Sequence, residues 1–362
     1  MAVVLVACTQ SVATPIGSPS QTPGATPWVS VTPSATGTLT ALPTPPASLP
    51  ALVGWSQLTS SGPAAREDHT WTVTGDGSAA LLFGGRDGAM VFGDVWAFSM
   101  LDDSWVPLRS DGGPFARFGH EAVWVEDVGL VVFAGQNGPD FFNDLWAYDP
   151  TDETWRELPS DGAVPVPRYG TCAAIGPDGR LWISHGFTAD GSRFADTRAY
   201  DFDIGVWTDE TPAGDEARPV ERCLHGCWWT EDGAFSLFGG QTTGVTALGD
   251  HWLLANQSWS EDQRAAPPAR NLYAFVRIAD ATFVFGGQGL DGSYLDDFWW
   301  VRDDDFDAAD LTDESDGPPA RGGATMVFDS FTGRGLLFGG RDAHGALADV
   351  WQFQSNFGLP GG

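Results

Sequence analysis

An aliphatic-aromatic run that ends in a glycine pair recurs about every fifty residues along the chain. A fixed period of this length indicates one supersecondary unit copied around an axis or along a stack. Two degraded copies keep the spacing, at Phe133-Ala134-Gly135 and Ser184-His185-Gly186. The repeat constrains the architecture before composition is considered, but it does not identify a ligand. The intact copies are Leu82-Phe83-Gly84-Gly85, Leu237-Phe238-Gly239-Gly240, Val284-Phe285-Gly286-Gly287 and Leu337-Phe338-Gly339-Gly340.

Each copy also carries an arginine 17 to 19 positions before the second glycine and an aspartate nine or ten positions after it. We expect the arginines to begin the innermost strand, to ring the mouth of an axial channel and to hydrogen-bond loop carbonyls or carboxylates. Binding of an anionic ligand there is the alternative. We expect the aspartates to cap loop ends by accepting backbone N–H groups. The arginines are Arg66, Arg117, Arg168, Arg222, Arg270 and Arg321; the aspartates are Asp94, Asp144, Asp196, Asp250, Asp297 and Asp349.

Four short apolar runs per copy, separated by Gly, Asp, Asn and Pro, predict four antiparallel strands. Four-stranded units repeated about an axis make a β-propeller, so six copies predict six blades in an all-β fold. The sixth copy ends before its fourth strand, whereas Trp55-Ser56-Gln57-Leu58 matches the fourth strand of copy one, Trp105-Val106-Pro107-Leu108. We therefore predict that the N-terminal strand completes the last blade, which leaves no unpaired blade edge.

Taken together, the glycine pair, the aromatic residue after the aspartate and the Pro114-Phe115-Ala116-Arg117 type of entry resemble the kelch family from about Trp55 to Phe353. The resemblance is to six-bladed kelch propellers of the galactose-oxidase central-domain type. Copy three departs from the pattern, because Thr197-Arg198 replaces the usual apolar-Trp pair. The copper site that galactose oxidase implies needs two tyrosines, a cysteine and two histidines; Tyr169 and Cys172 lack the other ligands, so no cofactor is expected.

The N-terminus predicts export. Residues 1–8 end in Leu5-Val6-Ala7-Cys8, which looks like the lipobox of a bacterial lipoprotein signal peptide with Cys8 as the lipidated residue; a chance match is the alternative. Residues 9–50 are rich in Thr, Ser and Pro and predict a disordered tether. The propeller is assigned to residues 51–356 and a short tail to residues 357–362. The predicted location is a lipid anchor at the bacterial cell surface or in the periplasm.

The formal net charge is −30, and the chain has no lysine. Such a chain repels nucleic acid and anionic membranes, so the lipid is the only membrane contact expected. The acidic residues are interpreted as a solvated shell, with binding of a cation or a basic partner as the alternative. Because an exported chain permits disulfides, Cys172 can pair with Cys227 or with Cys223. Three buried free thiols are the other possibility.

The loops between the second and third strands are long and should share one face with the connections between blades. Long loops on a rigid scaffold are where binding residues concentrate. The leading hypothesis is a surface-tethered protein that binds a protein or glycan through this face, without catalysis. An exported carbohydrate-active enzyme resembling the kelch sialic-acid epimerases (mutarotases) is the alternative, and a purely structural module is third. The candidate binding residues are Arg86, Phe141, Phe142, Arg193, Tyr294 and Arg341.

Three histidines, His69, His120 and His225, each lie three residues after a repeated arginine, so they occupy equivalent places in copies one, two and four. Such a set could bind a metal across the channel. The kelch repeat often has histidine here for structural reasons, and no metal is expected.

Overall fold

The computed structural model describes residues 52–214, 217–264, 266–303, 308–310 and 317–355. Within these ranges the regular secondary structure consists of β-strands, which form six antiparallel blades around one axis. The first strand of blade 6 contacts those of blades 5 and 1, so the ring is closed. The all-β, six-bladed prediction is confirmed. Cys8, the tether, the tail and Phe306 lie outside the described residues.

Each blade runs from an innermost first strand to an outermost fourth strand. Blade 1 comprises Thr70–Val73, Ala79–Phe83, Val95–Ser99 and Trp105–Leu108; blade 2 comprises Glu121–Val125, Gly129–Phe133, Leu145–Asp149 and Thr154–Glu157; blade 3 comprises Cys172–Ile175, Leu181–Phe187, Arg193–Asp201 and Val206–Asp209, with Asp161–Gly162 added in parallel at its outer edge. Blade 4 comprises Gly226–Trp229, Phe235–Phe238, His251–Ala255 and Ser258–Asp262; blade 5 comprises Ala274–Ile278, Ala281–Gln288, Tyr294–Arg302 and Ala308–Asp310; blade 6 comprises Thr325–Asp329, Arg334–Phe338, Val350–Ser355 and Leu52–Leu58. Two small hairpins, Arg86–Asp87 with Met90–Val91 and Gln136–Asn137 with Asp140–Phe141, extend the long loops of blades 1 and 2.

The N-terminal strand closes the ring as the sequence predicts. It pairs antiparallel with Val350–Ser355, and Trp55 stands opposite Phe353. The Trp55 ring packs against Phe285, Phe298 and Phe353 with centroid distances of 5.5, 5.1 and 4.8 Å. These rings belong to blades 5 and 6, so aromatic packing between blades holds the strand in addition to its backbone hydrogen bonds.

The glycine pair is required where the second strand ends and the chain approaches the next blade. Gly84 has φ +66°, and a Cβ there would lie 2.6 Å from the Arg117 carbonyl oxygen of blade 2. Gly85 has φ +94°, and a Cβ there would lie 2.9 Å from the Glu67 carbonyl oxygen. In the degraded copies Ala134 and His185 adopt φ of 67° and 59°, a left-handed conformation in which side chains are uncommon.

A disulfide joins the first strands of blades 3 and 4. Cys172 and Cys227 are bonded, with their Cα atoms 5.7 Å apart, and Cys223 is a buried free thiol. The structure therefore selects one of the pairings that the sequence left open. Among the residues that the structure describes, no helix is long and apolar enough to cross a membrane.

Candidate binding site at the channel mouth

The six repeated arginines are fully buried and make the same set of bonds in every blade. Arg66, for example, donates from both terminal nitrogens to the Asp94 carboxylate at 2.7 and 2.9 Å, and also to the carbonyl oxygens of Gly84 and Ala64. Across the blades the twelve Arg–Asp distances are 2.6 to 3.0 Å. This bidentate, charge-assisted geometry ties each long loop to the chain that enters its blade.

The aspartates bind side chains, a role that was not predicted for them from the sequence. Their carboxylates accept from the guanidinium and from an indole two residues later, as in Trp96 Nε1 to Asp94 at 2.7 Å, in addition to a backbone hydrogen bond at Asp94 itself. In blade 3, where the sequence departs from the pattern, the Arg198 Nε takes the place of the indole and donates to Asp196 at 3.1 Å. Burial raises the pKa of Asp94, but the hydrogen bonds and charge of Arg66 hold it below its ordinary value.

The arginines do not line the channel, so the prediction that they form its mouth is wrong. The wall of the axial cavity begins two residues after each arginine, because the guanidinium turns outward to its aspartate. At this point six left-handed residues form a closed ring of backbone N–H···O=C bonds, one per blade, of 2.8 to 3.2 Å. The ring members are Asp68, Gly119, Gly170, Leu224, Leu272 and Gly323.

Around this ring, on the face of the long loops, lies a group that we call the mouth cluster: Glu67, Asp68, Arg86, Phe118, Tyr169 and Arg341. The Glu67 carboxylate binds Arg341 Nε at 2.7 Å and Arg86 Nε at 3.3 Å, and so links blades 6 and 1. Asp68 binds Arg86 at 3.0 Å. Both arginines keep about a quarter of their side-chain surface exposed, so the cluster presents hydrogen-bond donors to solvent.

The cluster continues as aromatic side chains toward blades 2 and 3. The Arg86 guanidinium lies 4.3 Å from the centre of the Phe118 ring, and the Tyr169 ring packs edge-on against Phe118. The Tyr169 hydroxyl donates to Asp68 across the mouth at 3.2 Å. Cation–π and edge-to-face contacts therefore preorganise the partly exposed Arg86.

Burial raises the pKa of Glu67, and the neighbouring Asp68 carboxylate raises it further, whereas Arg86 and Arg341 lower it. Burial, with the charge of Asp68 next, raises the pKa of Tyr169 well above its ordinary value, so the phenol stays protonated and remains a donor. Perturbed groups of this kind are typical of functional sites, although structural ion pairs also produce them.

The structure brings together some of the predicted binding residues and separates others. Arg86 and Arg341 meet at Glu67, and the Tyr294 ring lies next to Gly322 beside them. Phe142 packs instead against the buried Arg117, 4.3 Å from the guanidinium carbon to the ring centre. Phe141 contacts Phe187 edge-on at 5.4 Å, and Arg193 bonds the Thr243 hydroxyl in blade 4 at 3.0 Å.

A family model described as the KLHDC2/KLHL20/DRC7 Kelch-repeats domain matches residues 52–240, just over half of the chain. The chain belongs to this kelch family. The match agrees with the six blades and with the repeated glycine pairs. A kelch propeller suggests a binding or scaffold role.

Two curated relatives match part of the chain. The tRNA wybutosine-synthesizing protein 4 of Emericella nidulans is 29% identical over 138 residues, which is 35% of this chain and 13% of that protein. The protein of the same name from Aspergillus fumigatus is 26% identical over 168 residues, 44% of this chain and 16% of that protein. Each match spans less than a fifth of the relative, so it transfers no activity to this chain.

Two of the three repeated histidines form a hydrogen bond to a neighbouring blade. His69 Nε2 lies 2.6 Å from the Thr325 hydroxyl of blade 6, and His120 Nε2 lies 2.9 Å from the Thr70 hydroxyl of blade 1. Cys172 occupies the place equivalent to these threonines next to His225, in the disulfide. Among the described residues, no group of three or more His, Cys, Asp or Glu side chains is arranged to hold a metal ion.

Sequence reasoning missed four residues of the mouth cluster: Glu67, Asp68, Phe118 and Tyr169. They occupy the first and second positions after a repeated arginine; the first has a different residue in each blade, and the second is glycine or leucine in every blade except at Asp68. The first of these positions forms a β-bridge with the residue that follows the glycine pair, as in Glu67 with Arg86 and Tyr169 with Phe187. Variation at two paired positions of an otherwise regular repeat is the signal that could have identified the site.

Proposed function

We propose that this protein binds a protein or glycan partner through the mouth cluster and the adjoining long loops. One observation carries the proposal: two partly exposed arginines are held in place by a shared buried glutamate whose pKa is raised. The guanidinium groups present several donors in a fixed geometry, and the Tyr294 ring beside them offers a flat surface. Planar donors beside an aromatic ring suit a sugar or a protein contact.

The direct test is retention of the labelled full-length chain on a glycan array and on immobilised candidate proteins. Arg341→Ala and Tyr294→Ala are expected to reduce retention at least tenfold, about 1.4 kcal/mol or more. Arg156→Ala, which removes an exposed arginine of an outer strand of blade 2, is the matched control and should bind as the unaltered chain does. Equal retention of all three variants would place the binding surface elsewhere.

A carbohydrate-active enzyme is the second candidate, because Glu67 and Asp68 place two carboxylates side by side at the mouth with the Tyr169 hydroxyl on Asp68. A pair of this kind can serve as acid and base when the two pKa values are pushed apart. Each carboxylate is paired with arginine, however, which favours binding. Catalysed interconversion of sugar anomers, followed by NMR, without retention on the array would reverse this preference.

We further propose that the protein is exported and lipid-anchored through Cys8. The Cys172–Cys227 disulfide supports export, because disulfides persist mainly outside the reducing cytosol. Expression in a bacterium with a clickable fatty acid should label the chain, and Cys8→Ser should abolish that label while Cys223→Ser retains it. Labelling that persists in Cys8→Ser would remove the anchor from the proposal.

A further inference from the structure

The axial cavity contains a carboxylate that lacks a partner. Glu121, in the first strand of blade 2, is half-buried and lines a cavity of about 250 Å³. Among the residues that the structure describes, none donates a hydrogen bond to its carboxylate or forms an ion pair with it. An ionised carboxylate in such surroundings is costly unless a cation or donor accompanies it.

The repeat explains why this carboxylate stands alone. In blades 1 and 6 the equivalent positions are Thr70 and Thr325, and each bonds a histidine of the next blade. In blade 3 the residue equivalent to those histidines is Thr171, whose hydroxyl donates to the Ser184 carbonyl at 2.9 Å. Glu121 thus has neither the histidine nor a free hydroxyl opposite it. A structural role as an interblade bond, which the threonines have, does not account for it.

The rest of the cavity wall supplies no positive charge. Asp68 is paired with Arg86 at the mouth. Burial, the largest cause, and nearby positive charges lower the pKa values of His69, His120 and His225, so these rings are neutral near pH 7. Ala122, Ala173 and Phe275, which are partly exposed, contribute apolar surface to the same wall, and the pKa of Tyr273 is raised by burial. The cavity therefore combines one carboxyl group that has no positively charged partner with apolar and hydroxyl groups. The titratable residues that line it are Asp68, His69, His120, Glu121, His225 and Tyr273.

We propose that the axial cavity binds a small organic ammonium ion, with the Glu121 carboxylate as its counter-ion and the apolar wall in contact with its carbon atoms. The volume corresponds to roughly eight water molecules at about 30 Å³ each, which limits the ligand to a few heavy atoms. Aromatic and aliphatic walls around one anionic group are suited to alkylated ammonium, because it is more weakly hydrated than a metal ion.

Binding is coupled to release of a proton. Burial raises the pKa of Glu121 to about 8, so the empty cavity holds a mostly protonated carboxyl at pH 7. A cation binds the ionised form, so each binding event at pH 7 releases nearly one proton to buffer. The fraction ionised rises from about a tenth at pH 7 to about nine tenths at pH 9, and the affinity should rise about tenfold with it.

The experiment titrates the full-length protein with tetramethylammonium, which keeps its charge at every pH, at pH 7, 8 and 9 and constant ionic strength. Calorimetry in two buffers of different ionisation enthalpy reports the proton release. We expect saturable binding that is about tenfold tighter at pH 9 than at pH 7. Neutral tert-butanol, of similar shape, should bind at least tenfold more weakly than tetramethylammonium at pH 9.

Glu121→Gln should weaken tetramethylammonium binding at pH 9 more than tenfold and remove the pH dependence. Glu126→Gln, at an exposed turn of the same blade, is the matched control and should leave both unchanged. The proposal is overturned by absence of saturable binding at pH 9, by equal binding in Glu121→Gln, or by an affinity of the unaltered chain that does not change between pH 7 and 9. None of these outcomes involves the loop face, so they leave the proposed binding function untouched.

Discussion

Arg66 and Glu67 are neighbours in the chain, yet they form two different kinds of ion pair. Arg66 is fully buried and holds Asp94 in a bidentate pair that recurs in all six blades. Glu67 is shared between Arg86 of blade 1 and Arg341 of blade 6, and no other described blade has a glutamate at the equivalent position. The pKa of Asp94 is lowered by its arginine, whereas burial raises the pKa of Glu67 despite two arginines.

This difference distinguishes a carboxylate whose ionisation stabilises the fold from one whose ionisation lowers the stability. A lowered carboxyl pKa means that the folded state favours the ionised form more than the unfolded chain does; a raised one means the reverse. The ionised Asp94 carboxylate therefore contributes stability at neutral pH, whereas the ionised Glu67 carboxylate reduces it, because burial and Asp68 outweigh its two arginines. A charged group that lowers stability and occurs in one blade only is expected at a binding site rather than in the scaffold.

The largest expected effect tests the repeated pair. Arg222→Met should lower the free energy of unfolding by about 3 to 5 kcal/mol, because it leaves the Asp250 carboxylate without its bidentate partner. Chemical denaturation measures the change. Arg156→Met, at an exposed arginine of blade 2, should change it by less than about 0.5 kcal/mol. A loss below 1 kcal/mol for Arg222→Met would mean that repetition does not mark stabilising pairs.

The disulfide, which is not part of the mouth cluster, tests whether occurring once is enough to indicate function. The Cys172–Cys227 disulfide occurs once, spans 55 positions and links blades 3 and 4. Replacing both cysteines with serine should cost about 2 to 4 kcal/mol through the entropy of the unfolded chain. Cys223→Ser, at the buried free thiol, should cost less than half as much. A double variant as stable as the unaltered protein would assign this disulfide to something other than stability.

The sequence predicts the features that recur in every blade and misses those that occur in one place only. The glycine pairs predict the blades because the positive φ and the close carbonyl at Gly84 leave no room for a side chain. The strand around Trp55 is predictable because its residues match the fourth strand of another copy. The mouth cluster is not, since Glu67 and Tyr169 meet their partners through contacts between different blades. The repeat specifies what each blade has in common, and the site consists of what differs.

As the pH falls from neutral, protonation of the buried histidines should lower the stability at a higher pH than protonation of the aspartates does. Burial, with the charge of Arg222 next, lowers the pKa of His225 to about 3 from 6.5 in the unfolded chain. The unfolded state therefore binds more protons below pH 6.5, and stability falls as the pH falls through that range. At pH 5 this one residue should cost about 2 kcal/mol relative to pH 7.5.

His225→Leu should reduce the loss of stability between pH 7.5 and pH 5 by that amount, measured within the variant so that any change in packing cancels. His344→Leu, at an exposed histidine, is the matched control and should leave the loss unchanged. An unchanged loss in His225→Leu would show that this ring is protonated in the folded protein, or that it titrates normally.

The smallest effect on stability is expected at Glu67, and it is the one that decides the comparison. Glu67→Gln removes a charge that burial and Asp68 make unfavourable, so the free energy of unfolding at pH 7 should rise slightly, by less than about 1 kcal/mol. The advantage over the unaltered chain should vanish at low pH, where the glutamate is itself protonated. Retention on the ligand array should nevertheless fall at least tenfold, because the amide oxygen that replaces the carboxylate carries no charge and orients Arg86 and Arg341 less firmly. Glu157→Gln, on an exposed outer strand, should change neither quantity. A loss of 3 kcal/mol in Glu67→Gln would put this glutamate in the same class as the repeated aspartates, and the mouth cluster would then be part of the scaffold.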